Sequence, residues 1–324
     1  MSFICEEKLN SISIDYVKQF VDEYFELIKV EENVYKSIKQ RIRMDGIPCI
    51  FGGHLCAQAL AAAEKTVPVD IYPHSLHSYF IKMASTNESV YYHVRVLKNN
   101  RSYMTRVVEA KQNNELVYYC TISFHVRETS SIEHQSVMPY VKQPEKLLNL
   151  VQIAQKYLKQ HENGIAKLRP QVRKILHSTL FDNITHYQPF EARPVNPDIF
   201  FGFNEFCGEN LYVWVKAKNI LQNSSKIHRY LSAYFSDYTL LSVSDRQHVS
   251  HGYEPSMFFS LDHHIWFHEP DFKIDEWVLY ENISPIAKKG RAFSEGKFWS
   301  RDGKLLISTA QESLNRTKKA VSKL

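Results

Sequence analysis

An acidic residue interrupts an apolar helical stripe in the second half of this chain. On a 3.6-residue period, one face of the segment from Ile227 to Val243 carries Tyr230, Ala233, Tyr234, Asp237 and Leu241. Four of these five residues suit a packed core, whereas a carboxylate that faces a core is costly unless it is hydrogen-bonded. Asp237 is therefore either a structural acid with buried partners or a general base, and the helical pattern leaves both interpretations open.

The residues that follow this helix add hydroxyl, acidic and imidazole groups. The segment from Met257 to His268 is predicted to be a single strand. Because side chains alternate along a strand, Ser260 and Asp262 should share a face, so Asp262 is a second candidate acid or a residue that holds a neighbour in place. His263 is a supporting candidate beside Asp262. His263 and His264 should point to opposite faces and no other ligand cluster joins them, so no metal site is predicted.

The composition is that of a folded, strand-rich protein. The 324 residues are enough for one large or two medium domains, and 44% of them are hydrophobic. The 19 Tyr and 19 Phe are typical of strands and of apolar binding tunnels. The formal charge of +5 suits a small polyanionic ligand. Nucleic-acid binding is not predicted, because no basic block interleaves with aromatic residues.

Cysteine usage and the chain ends predict a compartment. The five cysteines are odd in number and form no Cys-x-x-Cys pair, which indicates a reducing compartment without zinc or disulfides. No apolar run approaches the length of a membrane span, and the first ten residues lack the apolar core of a signal peptide. The chain ends in Ser322, Lys323 and Leu324, the tripeptide that a peroxisomal import receptor reads. We therefore predict import into the peroxisomal matrix.

The order of predicted elements repeats once along the chain. The first copy has a helix from Ser11 to Val30, a strand from Asn33 to Arg43, the Gly52-Gly53 pair with an Ala-rich helix after it, and four strands within residues 74–126. The second copy has a strand from Asn210 to Ile220, the helix that carries Asp237, and further strands. In the comparison, the segment Ser75 to Phe80 matches Ser260 to Ile265. Each copy is an α+β unit with its helix packed on one face of a sheet.

The chemistry is expected where the two copies differ. The aligned pairs are Gln58 with Asp237, His77 with Asp262, and Ile122 with Gln311. The second copy thus has an acid and an amide where the first has an amide and an aliphatic side chain. One working site and one degenerate copy would give this pattern. The predicted division is residues 1–130 for the first unit, 131–180 for a linker and 181–324 for the second unit, which holds the catalytic residues.

Six segments in order carry a resemblance to a known family. They are Phe51 to Leu60, His74 to Phe80, Ala233 to Asp237, Ser260 to His268, Asp275 to Tyr280, and Ser308 to Glu312. Together they resemble the acyl-CoA thioesterase II family, and most closely its peroxisomal acyl-CoA thioesterases. The resemblance implies a double hotdog fold, in which two antiparallel sheets each wrap a central helix. It also implies hydrolysis of fatty acyl-CoA to free acid and CoA, and no cofactor is predicted.

The resemblance also assigns catalytic residues by motif. The Asp, the Thr or Ser, and the Gln of the family fall on Asp237, Ser260 and Gln311. Bacterial members carry Thr where Ser260 stands, so this chain departs from them but keeps the hydroxyl. In the implied chemistry, Asp237 removes a proton from water, Ser260 donates to the carboxylate or to the water, and Gln311 orients the water.

Two other functions stay open. A hotdog enoyl-CoA hydratase would use similar CoA substrates but would need an Asp/His or His/Glu pair placed to add water to an enoyl group. A non-catalytic acyl-CoA-binding module would tolerate loss of the acid and the amide in both copies. A serine-hydrolase mechanism is not predicted, because the chain has no Gly-x-Ser-x-Gly motif. The sequence leaves open whether the chain forms a homo-oligomer.

Overall fold

The structure is a computed structural model that describes residues 16–43, 47–185, 188–203, 210–218, 225–249 and 251–317. The helices are α1 (Tyr16–Tyr24), α2 (Gly52–Glu64), α3 (Leu150–Glu162), α4 (Pro170–Thr185), α5 (Pro197–Phe201) and α6 (Ser225–Val249). The strands are β1 (Leu27–Glu31), β2 (Val34–Ser37), β3 (Ile71–Phe80), β4 (Tyr91–Asn99), β5 (Tyr103–Gln112), β6 (Glu115–Val126), β7 (Phe190–Pro194), β8 (Leu211–Ala217), β9 (Pro255–Ser260), β10 (Asp262–Phe267), β11 (Val278–Lys288), β12 (Arg291–Ser300) and β13 (Leu305–Thr317).

The strands of the described chain form one antiparallel sheet. Its order is β1-β2-β4-β5-β6-β3-β10-β13-β12-β11-β8-β7, and β9 pairs with β13 beside this path. The six strands on one side of the β3–β10 seam repeat the connectivity of the six on the other side. The double hotdog prediction is confirmed, with one addition: the two expected sheets are joined edge to edge.

The seam between β3 and β10 contains the approximate two-fold axis of the repeat. Ser78 lies directly opposite His263 across this seam. The sequence comparison had matched these same two residues as equivalents. Two equivalent residues can face each other in an antiparallel pair only where a two-fold axis passes between them. The sequence repeat is therefore a structural repeat.

The two central helices pack against each other and against one face of the sheet. Gly53 near the start of α2 lies beside Tyr234, whereas Glu64 at its end bonds to Arg229, so the helices run antiparallel. The Arg229 guanidinium donates to the Glu64 carboxylate at 2.9 Å, and both side chains are 2% exposed. Tyr230 OH donates to the other oxygen of Glu64 at 2.8 Å. A buried pair with this many partners fixes the relative position of the helices.

The Gly52-Gly53 pair is required by space and not by backbone conformation. A Cβ atom at Gly53 would lie 2.2 Å from the Tyr234 carbonyl oxygen, and one at Gly52 would lie 2.7 Å from Asp237 Oδ2. Neither glycine is among those with a positive φ. The pair lets the backbone of α2 approach α6 closely.

The segment between the two copies crosses the outer side of the second half of the sheet. Gln135 bonds to the backbone of Gly303 and Leu305 in the β12–β13 turn. The Trp214 indole donates to the Lys142 carbonyl at 2.9 Å, and Met138, Val141 and Leu147 pack on a buried group of Trp214, Leu279 and Trp299. Helices α3 and α4 follow.

The clearest differences from the prediction concern three elements. The first helix ends at Tyr24, and Leu27–Glu31 is a strand, because an apolar alternation there had been read with a helical period. The first predicted strand shrinks to Val34–Ser37. The strand predicted from Met257 to His268 is divided at Leu261. In the part of the chain that the structure describes, no helix has the length and apolar character needed to cross a bilayer.

Candidate active site

Asp237 lies at the point where the two central helices meet. Asp237 is 5% exposed, and its Oδ2 accepts a hydrogen bond of 2.9 Å from the backbone N–H of Gly53. Gly53 belongs to the first turn of α2, where N–H groups have no partner within the helix and carry partial positive charge. The first copy therefore supplies a donor to the acid of the second copy.

Burial dominates the electrostatics of Asp237. It raises the pKa of this carboxyl from an ordinary value of 3.8 to about 7, while the Arg43 charge, Gly53 N–H, Gln311 and Ser260 act in the opposite direction. Desolvation disfavours the charged form, whereas a nearby cation and hydrogen-bond donors favour it. The result is a carboxyl group that ionises near neutral pH, which suits a general base.

Ser260 and Gln311 lie beside this carboxyl group. Gln311 Nε2 donates to Ser260 Oγ at 2.6 Å, and Ser260 Oγ lies 3.5 Å from Asp237 Oδ1. The first distance is that of a short hydrogen bond, and the second is longer than an ordinary hydroxyl–carboxylate bond. The structure thus brings together the three residues that the sequence had singled out, which come from α6, β9 and β13.

A bulge between β9 and β10 decides which residues face this site. Ser260 pairs with Ser313 and His264 with Ala310, so one extra residue of β9–β10 is accommodated near Glu312. Ser260 and His263 consequently both reach the Gln311 side chain, although they are three positions apart.

The same bulge removes Asp262 from the site. Asp262 Oδ1 accepts the backbone N–H of Glu312 at 2.7 Å and lies 3.6 Å from His264 Nε2. The expectation that Asp262 shares a face with Ser260 is wrong, because it assumed unbroken alternation. The carboxylate of Asp262 instead satisfies a backbone group where the ladder is interrupted.

His263 is fully buried behind Gln311. Its Nδ1 lies 2.8 Å from Gln311 Oε1, and its Nε2 lies 2.8 Å from Ser236 Oγ. Burial lowers the pKa of His263 to about 4, so the imidazole is neutral at physiological pH. A neutral imidazole has one N–H and one acceptor nitrogen, so the two contacts must use opposite roles.

Arg43 and Gly53 are the members of this site that the sequence did not reveal. The Arg43 guanidinium donates to the Phe258 carbonyl at 2.9 Å and lies 5.1 Å from the centre of the Phe259 ring. Its charge acts on Asp237 although the two residues are far apart in the chain. The sequence marked Gly53 only as part of a glycine pair and gave no signal for Arg43, since both act on Asp237 through the contact between the copies.

Gln58, which the sequence comparison aligns with Asp237, has a structural role in the first copy. Gln58 is fully buried, its Nε2 donates to the Tyr24 carbonyl at 2.6 Å, and its Oε1 accepts from Tyr92 OH at 2.6 Å. The amide therefore ties α2 to the end of α1. These contacts are consistent with a degenerate copy.

The strand register corrects one pair of the sequence comparison. Tyr119 lies opposite Tyr79, and Ala310 lies opposite His264, the counterpart of Tyr79, so the next residues, Cys120 and Gln311, are counterparts. Ile122, the counterpart expected from sequence, is two residues further along the strand. The shift arises because the β12–β13 turn, residues 301–304, is longer than the β5–β6 turn, residues 113–114.

Two other expectations concern metals and targeting. Within the described ranges, no group of three or more His, Cys, Asp or Glu side chains is placed to hold a metal ion. The predicted targeting residues Ser322, Lys323 and Leu324 lie outside the residues that the structure describes.

Known proteins are similar to this chain in both sequence and fold. Two family models match it: the acyl-CoA thioesterase model over residues 186–314 and the acyl-CoA thioesterase N-terminal domain model over residues 41–125. Together with the fold, these matches define a thioester hydrolase of the hotdog class. The chain belongs to the acyl-CoA thioesterase family.

Individual relatives extend this match over most of the chain. Acyl-coenzyme A thioesterase 8 of Mus musculus is 34% identical over 274 residues, which cover 84% of this chain and 82% of the mouse protein. The peroxisomal acyl-coenzyme A thioester hydrolase 1 of Saccharomyces cerevisiae is 25% identical, covering 81% of this chain and 84% of the yeast protein. The crystal structure of an acyl-CoA thioesterase II from Mycobacterium marinum superposes with a TM-score of 0.71 at 27% identity, covering 92% of this chain and 99% of that one.

Proposed function

We propose that this chain hydrolyses fatty acyl-CoA to free fatty acid and CoA, and that Asp237, Ser260 and Gln311 activate the attacking water. The observation that carries the proposal is the contact of a buried carboxyl group, whose pKa is raised to about 7, with a hydroxyl and an amide. Such a carboxyl is ionised often enough near neutral pH to take a proton, and basic enough to hold it.

The reaction can be written with each proton accounted for. The ionised Asp237 carboxylate accepts a proton from water as the water oxygen forms a bond to the thioester carbonyl carbon. Ser260 and Gln311 provide donors and an acceptor that fix the orientation of the water. When the tetrahedral intermediate collapses, the C–S bond breaks, and the CoA thiolate takes the proton from Asp237. The free acid and CoA then leave, and the carboxylate is regenerated.

In this proposal the two copies have different roles. The unit of residues 181–324 carries the three catalytic residues. The unit of residues 1–130 contributes the Gly53 N–H and the Arg43 charge, both of which favour the ionised form of Asp237. From the linker of residues 131–180, Met138, Val141 and Leu147 pack on the outer side of the second unit.

An assay that separates thiol release from hydration tests the proposed function. The purified chain is given saturated acyl-CoAs of increasing length and, separately, crotonyl-CoA, with free thiol and 3-hydroxyacyl-CoA measured together. We expect thiol release from saturated acyl-CoA. Formation of 3-hydroxyacyl-CoA without thiol release would instead identify a hydratase. Tight binding with neither product would identify a binding module.

We further propose that the chain acts in the peroxisome. The proposal rests on the terminal Ser322-Lys323-Leu324 and on the peroxisomal yeast relative. The import receptor that reads this tripeptide is the partner that the proposal requires.

Removal of the last three residues should relocate the protein without changing its activity. A fluorophore placed at the N-terminus leaves the tripeptide accessible, so the full chain should form puncta that coincide with a peroxisomal marker. The truncated chain should be diffuse in the cytosol and should hydrolyse acyl-CoA at the same rate in vitro, because the tripeptide lies beyond the last strand. Punctate import that persists after truncation would show that a different signal is used.

A further inference from the structure

We propose that Ser236 and His263 act together as positioning residues that hold the Gln311 amide in the orientation needed for catalysis. This inference rests on the proposed function, in which Gln311 must present its NH₂ group toward Ser260. The two residues are not among the three proposed catalytic residues. Ser236 belongs to α6 and directly precedes Asp237.

The oxygen and the NH₂ group of the Gln311 amide have almost the same size and shape. An amide oxygen and an amide NH₂ differ in hydrogen bonding but hardly in size, so packing alone does not choose between them. Gln311 is 1% exposed and cannot be oriented by bulk water. Its neighbours must therefore decide which end faces Ser260. His263 is the neighbour on the other side, at 2.8 Å from Gln311 Oε1.

The proton on His263 makes this choice. With the oxygen of Gln311 toward His263, Nδ1 must carry the proton, and Nε2 must then accept a hydrogen bond. With the amide reversed, Nδ1 must accept and Nε2 must carry the proton. In the first arrangement, the Gln311 NH₂ group donates a hydrogen bond to Ser260, and the Ser260 hydroxyl is free to donate to Asp237. The second uses the Ser260 hydroxyl to donate to the amide oxygen and deprives Asp237 of that donor.

Ser236 favours the first of these two arrangements when its hydroxyl donates to His263 and not to the Ala233 carbonyl. Its Oγ lies 2.8 Å from His263 Nε2 and 2.9 Å from the Ala233 carbonyl, and a hydroxyl has one proton for these two acceptors. When Ser236 donates to His263, the chain of donors runs from Ser236 through His263, Gln311 and Ser260 to the Asp237 carboxylate. Chains of this kind strengthen each bond along them, most of all when they end on a charge.

The geometry around Ser236 keeps this donor in place. Ser236 and His263 are both fully buried, so water does not compete for the contact. Tyr280 OH donates to the Ser236 backbone carbonyl at 2.7 Å and also contacts Thr309 Oγ1 at 3.1 Å, which fixes this turn of α6 against the sheet. The donor is therefore presented by a rigid element, as positioning requires.

Substitution of Ser236 by alanine tests the proposal, and Ser232 supplies a matched control. Ser232 lies one turn earlier on α6, is also fully buried, and has an Oγ without a hydrogen-bond partner within the described structure. Ser236→Ala should lower kcat about 3- to 10-fold, the effect expected from one neutral hydrogen bond, with KM within about twofold of wild type. Ser232→Ala should leave both constants unchanged.

A double-mutant cycle separates positioning from a general structural effect. If Ser236 acts through the Gln311 amide, Ser236→Ala should have no further effect on kcat in the Gln311→Ala background. An undiminished further loss in that background would overturn the proposal. So would equal kcat values for the Ser236→Ala and Ser232→Ala proteins.

The proton on His263 can be observed without measuring activity. In protein carrying ¹⁵N-labelled histidine, with the resonances of residue 263 identified by their loss in His263→Gln, the proposal predicts a protonated Nδ1 and an unprotonated Nε2. A protonated Nε2 in the wild-type chain would refute it. If Gln311→Ala kept the wild-type kcat, the proposed role of Gln311 in activating the water would fail, whereas this spectrum would still decide how the amide is oriented.

Discussion

Replacement of Asp237 by asparagine is expected to lower kcat for thioester hydrolysis by a factor on the order of 10² to 10⁴. Asparagine has almost the same shape and can still accept the Gly53 N–H, but it cannot take a proton from water. The fold should therefore remain while the proposed general base is lost. The measurement is thiol release from the best saturated acyl-CoA, at saturating and at low substrate.

The same substitution should stabilise the protein at high pH. A carboxyl group whose pKa is raised by folding binds its proton more tightly in the folded state, so its ionised form subtracts stability above the unfolded pKa. For Asp237, with a folded pKa of about 7, this loss is complete at pH 8. The asparagine variant should gain on the order of 4 kcal/mol at pH 8 and about half of that at pH 5.

Asp245 provides the matched control for this prediction. It lies two turns further along α6, is 7% exposed, and burial raises its pKa to about 6. Asp245→Asn should give a similar stability gain with unchanged activity. Retention of near-normal hydrolysis in a folded Asp237→Asn protein, or loss of activity in both variants, would contradict the assignment of the base.

Replacement of Gln311 by alanine is expected to lower kcat by a factor on the order of 10² with a smaller change in KM, because a misoriented water reacts slowly even when substrate is bound. The matched substitution in the first copy is Cys120→Ala, because Cys120 occupies the equivalent position opposite Ser78. It should cost about 1 kcal/mol of stability, through lost burial, and leave kcat unchanged. Equal losses of activity in both variants would show that the two copies are not divided into a working and a degenerate site.

Much of this molecule could be predicted from its sequence. The repeat of helix and strands, and the resemblance carried by six ordered segments, predicted the double hotdog fold and the meeting of Asp237, Ser260 and Gln311. The helices and strands are encoded locally, since their periods can be recognised within a few residues, whereas the double hotdog and the grouping of the three residues were implied by the resemblance.

Other features depend on tertiary contacts and had no local signal. The bulge at Leu261 and Asp262 placed His263 inside the site and Asp262 outside it, whereas strict alternation predicted the reverse for Asp262. A register shift of two residues exchanged Ile122 for Cys120 as the counterpart of Gln311. Arg43 and Gly53 act across the contact between the two copies. Such effects follow from how distant strands and helices meet, which periodicity does not encode.

The pH dependence of kcat/KM tests most directly whether the ionised Asp237 is the base. With a slow acyl-CoA substrate, so that chemistry limits the rate, kcat/KM should rise as one group ionises with a pKa of about 7 and then level off. kcat/KM rises with pH because only the deprotonated carboxyl of Asp237 can accept a proton. Asp245→Asn should preserve this rise, and the residual activity of Asp237→Asn should lack it. A wild-type profile that is flat from about pH 5.5 to 8.5, or a rise that survives in Asp237→Asn, would contradict the mechanism.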